Sequence, residues 1–163
     1  MKATDVIVNT LASTQYILTT YLGDLSDADF LVRPVPEANH LAWQLGHLIS
    51  SEVDLGKVLP GVKYPALPAG FAEQYTKETS KQNDGKGFLT KAAYLDLFNK
   101  VRGATIAATT ALSDADLDKP TEGPMAQFAP TLGSFVVLIA NHTLMHGGQF
   151  TVLRRKLGKP IVM

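Results

Sequence analysis

The chain has 163 residues, 45% of them hydrophobic, and its 15 lysines and arginines balance its 15 aspartates and glutamates. A chain of this length can bury the core of one domain and is too short for two well-packed ones. We therefore expect a single domain over residues 1–163. The balanced charge argues against nucleic acid or an anionic membrane surface as a partner.

The chain contains no cysteine. This excludes disulfides, thiolate metal ligands and a cysteine nucleophile, so any metal site must use histidine and carboxylate ligands. No window approaches the roughly 20 apolar residues that span a membrane, and the N-terminus lacks the apolar segment of a signal peptide. A cytoplasmic protein without a membrane partner is expected.

Hydrophobic periodicity predicts that the chain begins with a helix over residues 4–22. A short capped turn over residues 25–30 follows. A second long helix is predicted to begin after Asn39, a good N-cap, and to run to about Leu59, where Pro60 stops it.

The second helix carries polar residues at positions that should face the core. Glu52 lies near its leucine seam, so it has either a buried partner or access to water at an end of the bundle. His47 lies on a second stripe, with Trp43 and Asp54, which is expected where a helix contacts two neighbours. His40 is on that stripe but about 10 Å from His47 along the axis, so a shared ion is not expected. Beside the N-cap, His40 is predicted to be solvated.

Residues 60–89 form the least helical part of the chain, with one or two helical turns predicted within residues 71–81. A connector of this length usually covers a site or crosses a bundle. A third helix is predicted over residues 90–112 and a fourth over residues 131–158.

A short internal repeat supports a two-hairpin arrangement. Residues 112–117 almost copy residues 25–30, and each copy follows a helix. Two helical hairpins joined by a long crossover predict an all-α four-helix bundle with up-down-down-up topology. Six residues rich in capping types can also recur by chance, so this support is modest.

The fourth helix carries His142 and His146 on an otherwise apolar face. Their i, i+4 spacing places them about 40° apart and about 6 Å along the axis, so both imidazoles can reach one ion. By itself the pair leaves two interpretations open: hydrogen-bonded core histidines or metal ligands. Thr143 stands where zinc proteases carry a glutamate base, so protease chemistry is not expected.

Three segments together resemble a known family: Asn39-His40-Leu41-Ala42-Trp43-Gln44-Leu45-Gly46-His47-Leu48, Leu59-Pro60-Gly61, and His142-Thr143-Leu144-Met145-His146-Gly147-Gly148-Gln149. In this order they are similar to the DinB-like (YfiT-like) superfamily, which is unrelated to the polymerase of the same name. The resemblance covers most of the chain. It implies an up-down-down-up bundle with a metal site of three histidines.

The resemblance places the metal ligands on His47, His142 and His146. An all-imidazole set suits Zn²⁺ or Ni²⁺ and leaves one coordination position open for water or substrate. Trp43 and Gln149 are expected to line the substrate pocket or to contact the ligands.

The leading functional expectation, by resemblance, is a metal-dependent thiol S-transferase that uses a low-molecular-weight thiol on a small-molecule substrate. One alternative is a metal-dependent hydrolase, for which Asp54 is the available carboxylate. Another is a non-catalytic metal-binding stress-response protein, and a homodimer is expected in any case. A closed site with four protein ligands would favour the non-catalytic alternative, whereas an open position beside a pocket would favour an enzyme.

Overall fold

The computed structural model of the protein describes residues 1–81 and 86–162. These residues form helices, turns and loops and contain no β-strand. The helices are α1 (Ala3–Leu22), α2 (Leu41–Leu55), α3 (Phe71–Gln74), α4 (Lys91–Thr110), α5 (Asp114–Leu117) and α6 (Leu132–Lys156). Single 3-10 turns occupy Asp29–Leu31, Gly56–Val58, Thr79–Lys81 and Pro124–Gln127. In this part of the chain no helix is both long and apolar enough to cross a bilayer.

The four long helices, α1, α2, α4 and α6, pack as a bundle in which α4 and α6 each lie between α1 and α2. Lys91, at the start of α4, donates to the carbonyl of Gly23, just after α1. These two helices are therefore antiparallel. Arg154, near the end of α6, donates to the carbonyl of Tyr21, near the end of α1, so α1 and α6 are parallel.

Contacts between α2 and α6 complete the topology. Gln44, near the start of α2, bonds to His146 in the second half of α6. Leu55, at the end of α2, lines the same cavity as Leu138, in the first half of α6. The two helices are antiparallel, and the bundle runs up-down-down-up. The predicted fold class is confirmed.

The start of α2 differs from the prediction. His40, not Asn39, is the N-cap, because its Nδ1 accepts from the backbone N–H of Trp43 at 3.1 Å. His40 is 2% exposed and its ring packs edge-on against Phe88, so the expectation that it is solvated was wrong. Phe88 belongs to the connector, so the residue spacing within α2 could not predict its contact with His40.

The end of α2 also comes earlier than predicted, at Leu55 rather than Leu59. The helix passes at Gly56 into a 3-10 turn that ends at Val58. A Cβ at Gly56 would overlap the hydroxyl of Tyr64, which the connector packs against this point. The ends of α1, α4 and α6 agree with the prediction within two residues.

A buried ion pair joins the helices at the centre of the bundle. The guanidinium of Arg102 donates to the carboxylate of Glu52 through Nε at 2.9 Å and Nη2 at 2.7 Å. Arg102 also donates to the hydroxyls of Thr14 and Thr143, and Thr105 donates to Glu52. These groups come from α1, α2, α4 and α6, so Glu52 has a buried partner and does not rely on water.

The two copies of the repeat form the same local structure. In each, a serine and an aspartate three residues later make reciprocal capping bonds: Ser26 with Asp29, and Ser113 with Asp116. Each capped turn follows a long helix, as the repeat predicts.

The connector packs back on the bundle. It contains the predicted helical turns, α3 and the 3-10 turn Thr79–Lys81, and residues 82–85 lie outside the described residues. A Cβ at Gly46 of α2 would overlap the ring of Tyr75. The glycine before His47 therefore lets the connector approach the histidine closely.

Candidate metal centre

Three of the four histidines meet between α2 and α6. The ring centroids lie 5.1 Å apart for His47 and His142, 5.5 Å for His47 and His146, and 5.0 Å for His142 and His146. One nitrogen from each ring lies within 4.8 Å of the others. His40 is not part of this cluster. The i, i+4 pair on α6 and the histidine on the second stripe of α2 are thus close enough to bind one ion.

Burial keeps the three imidazoles neutral. Burial, together with repulsion between the rings in their charged forms, lowers the pKa of His142 to about 4 and that of His146 to about 3. Burial also lowers the pKa of His47, although a backbone hydrogen bond with Tyr75 opposes this. A neutral imidazole has a free lone pair, so near pH 7 the cluster can bind a metal without first releasing protons.

Gln44 contacts the cluster from α2. Its Oε1 lies 2.9 Å from Nδ1 of His146, and its Nε2 donates to the carbonyl of Asn39 at 2.7 Å. Gln44 is 1% exposed, so both ends of its amide are satisfied inside the protein.

Trp43 and the connector support His47. The indole of Trp43 stacks on the His47 ring with centroids 5.0 Å apart and planes inclined by 9°. The indole N–H donates to the hydroxyl of Thr79 at 3.4 Å. Stacking on one face and the close approach of Tyr75 limit the orientations that the His47 ring can adopt.

A cavity of about 420 Å³ opens beside the cluster. It is lined by His47, Ser51, Asp54, Leu55, Met125, Leu138, Asn141, His142 and Met145. His146 is not part of this lining and is 7% exposed. The cluster therefore has an open side towards the cavity and a closed side towards Gln44. A larger cavity of about 900 Å³ lies between the starts of α1 and α5, away from the histidines.

Two carboxylates lie near the cluster, in different settings. Glu52 is buried and engaged by Arg102 and Thr105. Asp54 lines the cavity, but it is largely exposed and pairs with Lys57 at 2.7 Å. Of the two, Asp54 is the carboxylate that a ligand in the cavity can reach.

The family of the chain follows from comparison with known proteins. The model of the DinB superfamily matches residues 10–150. The chain belongs to the DinB superfamily. No curated protein matches it.

Two solved structures share the fold of this DinB-superfamily protein. YfiT from Bacillus subtilis, described as a probable metal-dependent hydrolase with an unusual four-helix bundle topology, superposes with a TM-score of 0.67 at 18% identity, covering 96% of this chain and 89% of YfiT. A conserved protein from Enterococcus faecalis gives a TM-score of 0.70 at 17% identity, covering 98% of this chain and 99% of that one. At these identities the likeness concerns the fold alone.

The structure gives the positions of all five predicted site residues, and their roles stay predictions. His47, His142 and His146 come together, and Trp43 contacts His47. Gln149 is exposed and lies outside the lining of the cavity beside the cluster, so its role stays a prediction.

Sequence reasoning missed Gln44. A polar residue within the apolar run of α2 was the available signal, because a buried amide needs partners. The run does not say which partner it has, since His146 lies about 100 residues away along the chain.

Proposed function

We propose that this DinB-superfamily protein is a divalent-metal-dependent enzyme that transfers a low-molecular-weight thiol to a small electrophile. The observation that carries the proposal is the open side of the histidine cluster, where His47 and His142 line a cavity large enough for a small molecule. A closed site with four protein ligands would have favoured a non-catalytic role.

The residues present fit a divalent ion. Three neutral imidazoles lie within reach of one another, and such a set suits Zn²⁺ or Ni²⁺. When bound, the ion would lower the pKa of a thiol or a water molecule that coordinates it.

The cavity lining suggests how the chain handles a substrate. Leu55, Leu138 and Met145 offer apolar contacts that exclude water from the reacting atoms, while Ser51 and Asn141 can hydrogen-bond to a polar group. The chain has no cysteine, so the thiol must come from a second small molecule. In the overall reaction a sulfur–carbon bond forms, the bond from carbon to the leaving group breaks, and the thiol proton is released to solvent.

The test begins with elemental analysis of protein purified without a histidine tag, beside His146→Ala and His40→Asn. The first variant removes a proposed ligand. The second removes the fourth imidazole but keeps a side chain that can cap α2. We expect stoichiometric metal in the wild type and in His40→Asn, and loss of metal in His146→Ala. Equal metal in all three proteins would refute the site.

Activity is then measured with bacillithiol, mycothiol or glutathione and an aryl chloride as the electrophile. We expect metal-loaded protein to accelerate thioether formation with at least one thiol, and His146→Ala to show only the uncatalysed rate. If the metal-loaded protein accelerates none of the three reactions, the transferase proposal fails.

Metal-dependent hydrolysis is the second candidate, and one observation favours it. Asp54 lines the same cavity as His47 and His142, so it could accept a proton from an attacking water. Because Asp54 is exposed and pairs with Lys57, we rank hydrolysis second.

Turnover of amides or esters without thiol, reduced in Asp54→Asn but not in Asp96→Asn, would support the hydrolase candidate. Asp96 is a matched control because it forms a similar exposed pair with Lys100. No metal-dependent turnover of the panel would exclude this candidate.

A cytoplasmic location and a homodimer stay predictions. Sedimentation or light scattering on the metal-loaded protein tests the second of them.

A further inference from the structure

We propose that Gln44 is a positioning residue that selects which nitrogen of His146 is free to bind a metal. The proposal rests on the metal site proposed above and adds a residue that lies outside the ligand set. Its basis is a chain of two hydrogen bonds, the first partly buried and the second buried, that runs from Asn39 through Gln44 to His146.

The first bond determines the orientation of the Gln44 amide. Its Nε2 lies 2.7 Å from the carbonyl oxygen of Asn39, which can only accept. The opposite amide orientation would bring two oxygens to this distance without a hydrogen between them, which is costly because the Gln44 side chain is buried and water cannot readily replace the lost bond. The amide nitrogen therefore points to Asn39, and Oε1 points to His146.

The second bond then determines the tautomer of His146. Oε1 of Gln44 can only accept, so Nδ1 of His146, 2.9 Å away, carries the proton. In a neutral imidazole the other nitrogen, Nε2, then holds the lone pair. Gln44 thus leaves Nε2 of His146 as the ligand atom and restrains rotation of the ring.

The contact between His47 and Ser51 differs from the bond between His146 and Gln44. Nδ1 of His47 lies 3.5 Å from the hydroxyl of Ser51, the outer limit for a hydrogen bond, and the hydroxyl can rotate to donate or accept. An amide fixed at both ends gives a ligand one protonation pattern, whereas a serine hydroxyl does not. At His146 a buried side chain therefore determines the tautomer, whereas at His47 the fixed partner is the backbone of Tyr75.

The anchor of this chain of bonds is the start of α2. Asn39 precedes the N-cap His40, so its carbonyl is not used within the helix and is available to the Gln44 side chain. Any change in how α2 begins would move the amide and, through it, the imidazole of His146.

Two substitutions separate positioning from packing. Gln44→Met keeps the length of the side chain but removes donor and acceptor, and Gln44→Glu keeps an acceptor for Nδ1. Loss of a residue that hydrogen-bonds to a metal-binding histidine typically weakens metal affinity by about 10- to 100-fold. We expect Gln44→Met to weaken Zn²⁺ binding within that range and Gln44→Glu to bind more tightly than Gln44→Met. Gln15→Met is the control, because Gln15 also bridges two helices through its amide, but it bonds to Asn99 and not to a histidine. It should bind Zn²⁺ as the wild type does.

The deciding readout is the tautomer of His146 in metal-free protein, measured from side-chain ¹⁵N shifts. We expect a proton on Nδ1 in the wild type and in Gln15→Met, and protonation of Nε2 in a measurable fraction of Gln44→Met. A wild type with the proton on Nε2, or a folded Gln44→Met with wild-type affinity and tautomer, would overturn the proposal. If Gln44→Met does not fold, two measurements decide: the tautomer of His146 in the wild type and the Zn²⁺ affinity of Gln44→Glu. Binding of Zn²⁺ by Gln44→Glu that is more than about 100-fold weaker than in the wild type would then contradict the proposal. A wild type with the expected tautomer but no metal affinity would refute the proposed function and leave the control of tautomer standing.

Discussion

Arg102 and Glu52 form a bidentate ion pair at the centre of the bundle, with side chains 0% and 3% exposed. Burial of two charges is costly, and here the cost is offset because both groups are also bonded to threonines or backbone. Arg102 also donates to Thr143, the neighbour of His142. The pair therefore connects the packing of four helices to the segment that carries two of the candidate ligands.

Removal of one partner should destabilise the protein strongly. Arg102→Met leaves the Glu52 carboxylate buried without its counter-charge, and we expect a loss of about 3–5 kcal/mol in the free energy of unfolding. Urea denaturation measures it. The double variant Arg102→Met/Glu52→Met should be more stable than the single one, because no charge is left unpaired. Lys100→Met, which breaks the exposed pair with Asp96, is the control and should change little. A loss in Arg102→Met no larger than in this control would contradict the argument.

Two helix glycines should respond oppositely to alanine. At Gly46 a Cβ would overlap the Tyr75 ring, so Gly46→Ala should cost about 1–3 kcal/mol and displace the connector from His47. At Gly103, inside α4, a Cβ meets nothing, and Gly103→Ala should stabilise by up to about 1 kcal/mol. Thermal or urea unfolding compares the two. Equal effects at both sites would show that Tyr75 does not determine the need for glycine.

The metal-free protein should lose stability as the pH falls below about 6.5. Folding lowers the pKa of His142 to about 4 and that of His146 to about 3, from the ordinary histidine value of 6.5. Between about pH 6.5 and pH 3 the unfolded chain binds more protons than the folded one, so the free energy of unfolding decreases as the pH is lowered. Above about pH 6.5 this contribution is fully present and constant. Urea midpoints across this range measure the slope. His142→Asn should reduce it, and an unchanged slope in that variant would contradict the assignment.

The single tryptophan should report metal binding. Trp43 stacks on His47 at 5.0 Å between centroids, so an ion on this imidazole changes the immediate surroundings of the indole. We expect Ni²⁺ to quench its fluorescence with a saturable, stoichiometric titration, and His146→Ala to abolish the saturable phase. The same titration in His40→Asn serves as the control and should resemble the wild type. Saturable quenching that survives in His146→Ala would place the ion elsewhere.

Features that depend on local residue spacing could be predicted from the amino-acid sequence. Helical geometry relates residues three and four apart, so the i, i+4 pair His142 and His146 was certain to share a face once α6 was recognised. Local capping patterns likewise predicted the capped turn over residues 25–30, which its near copy over residues 112–117 repeats. The residues quoted for the family resemblance indicated His47 as a third candidate ligand, and the family match agrees with that resemblance.

Contacts between residues far apart in the chain depend on how the helices pack. From the sequence, Glu52 could have either a buried partner or access to water, and the packing of α4 places Arg102 beside it as the buried partner. The burial of His40 depended on Phe88, and the bond between Gln44 and His146 depended on the antiparallel packing of α2 on α6. Such contacts join residues about 50 to 100 positions apart, and helical periodicity gives the face of each residue but not its neighbour across the bundle. The open side of the cluster has the same origin, since it is the space that remains when these faces have packed.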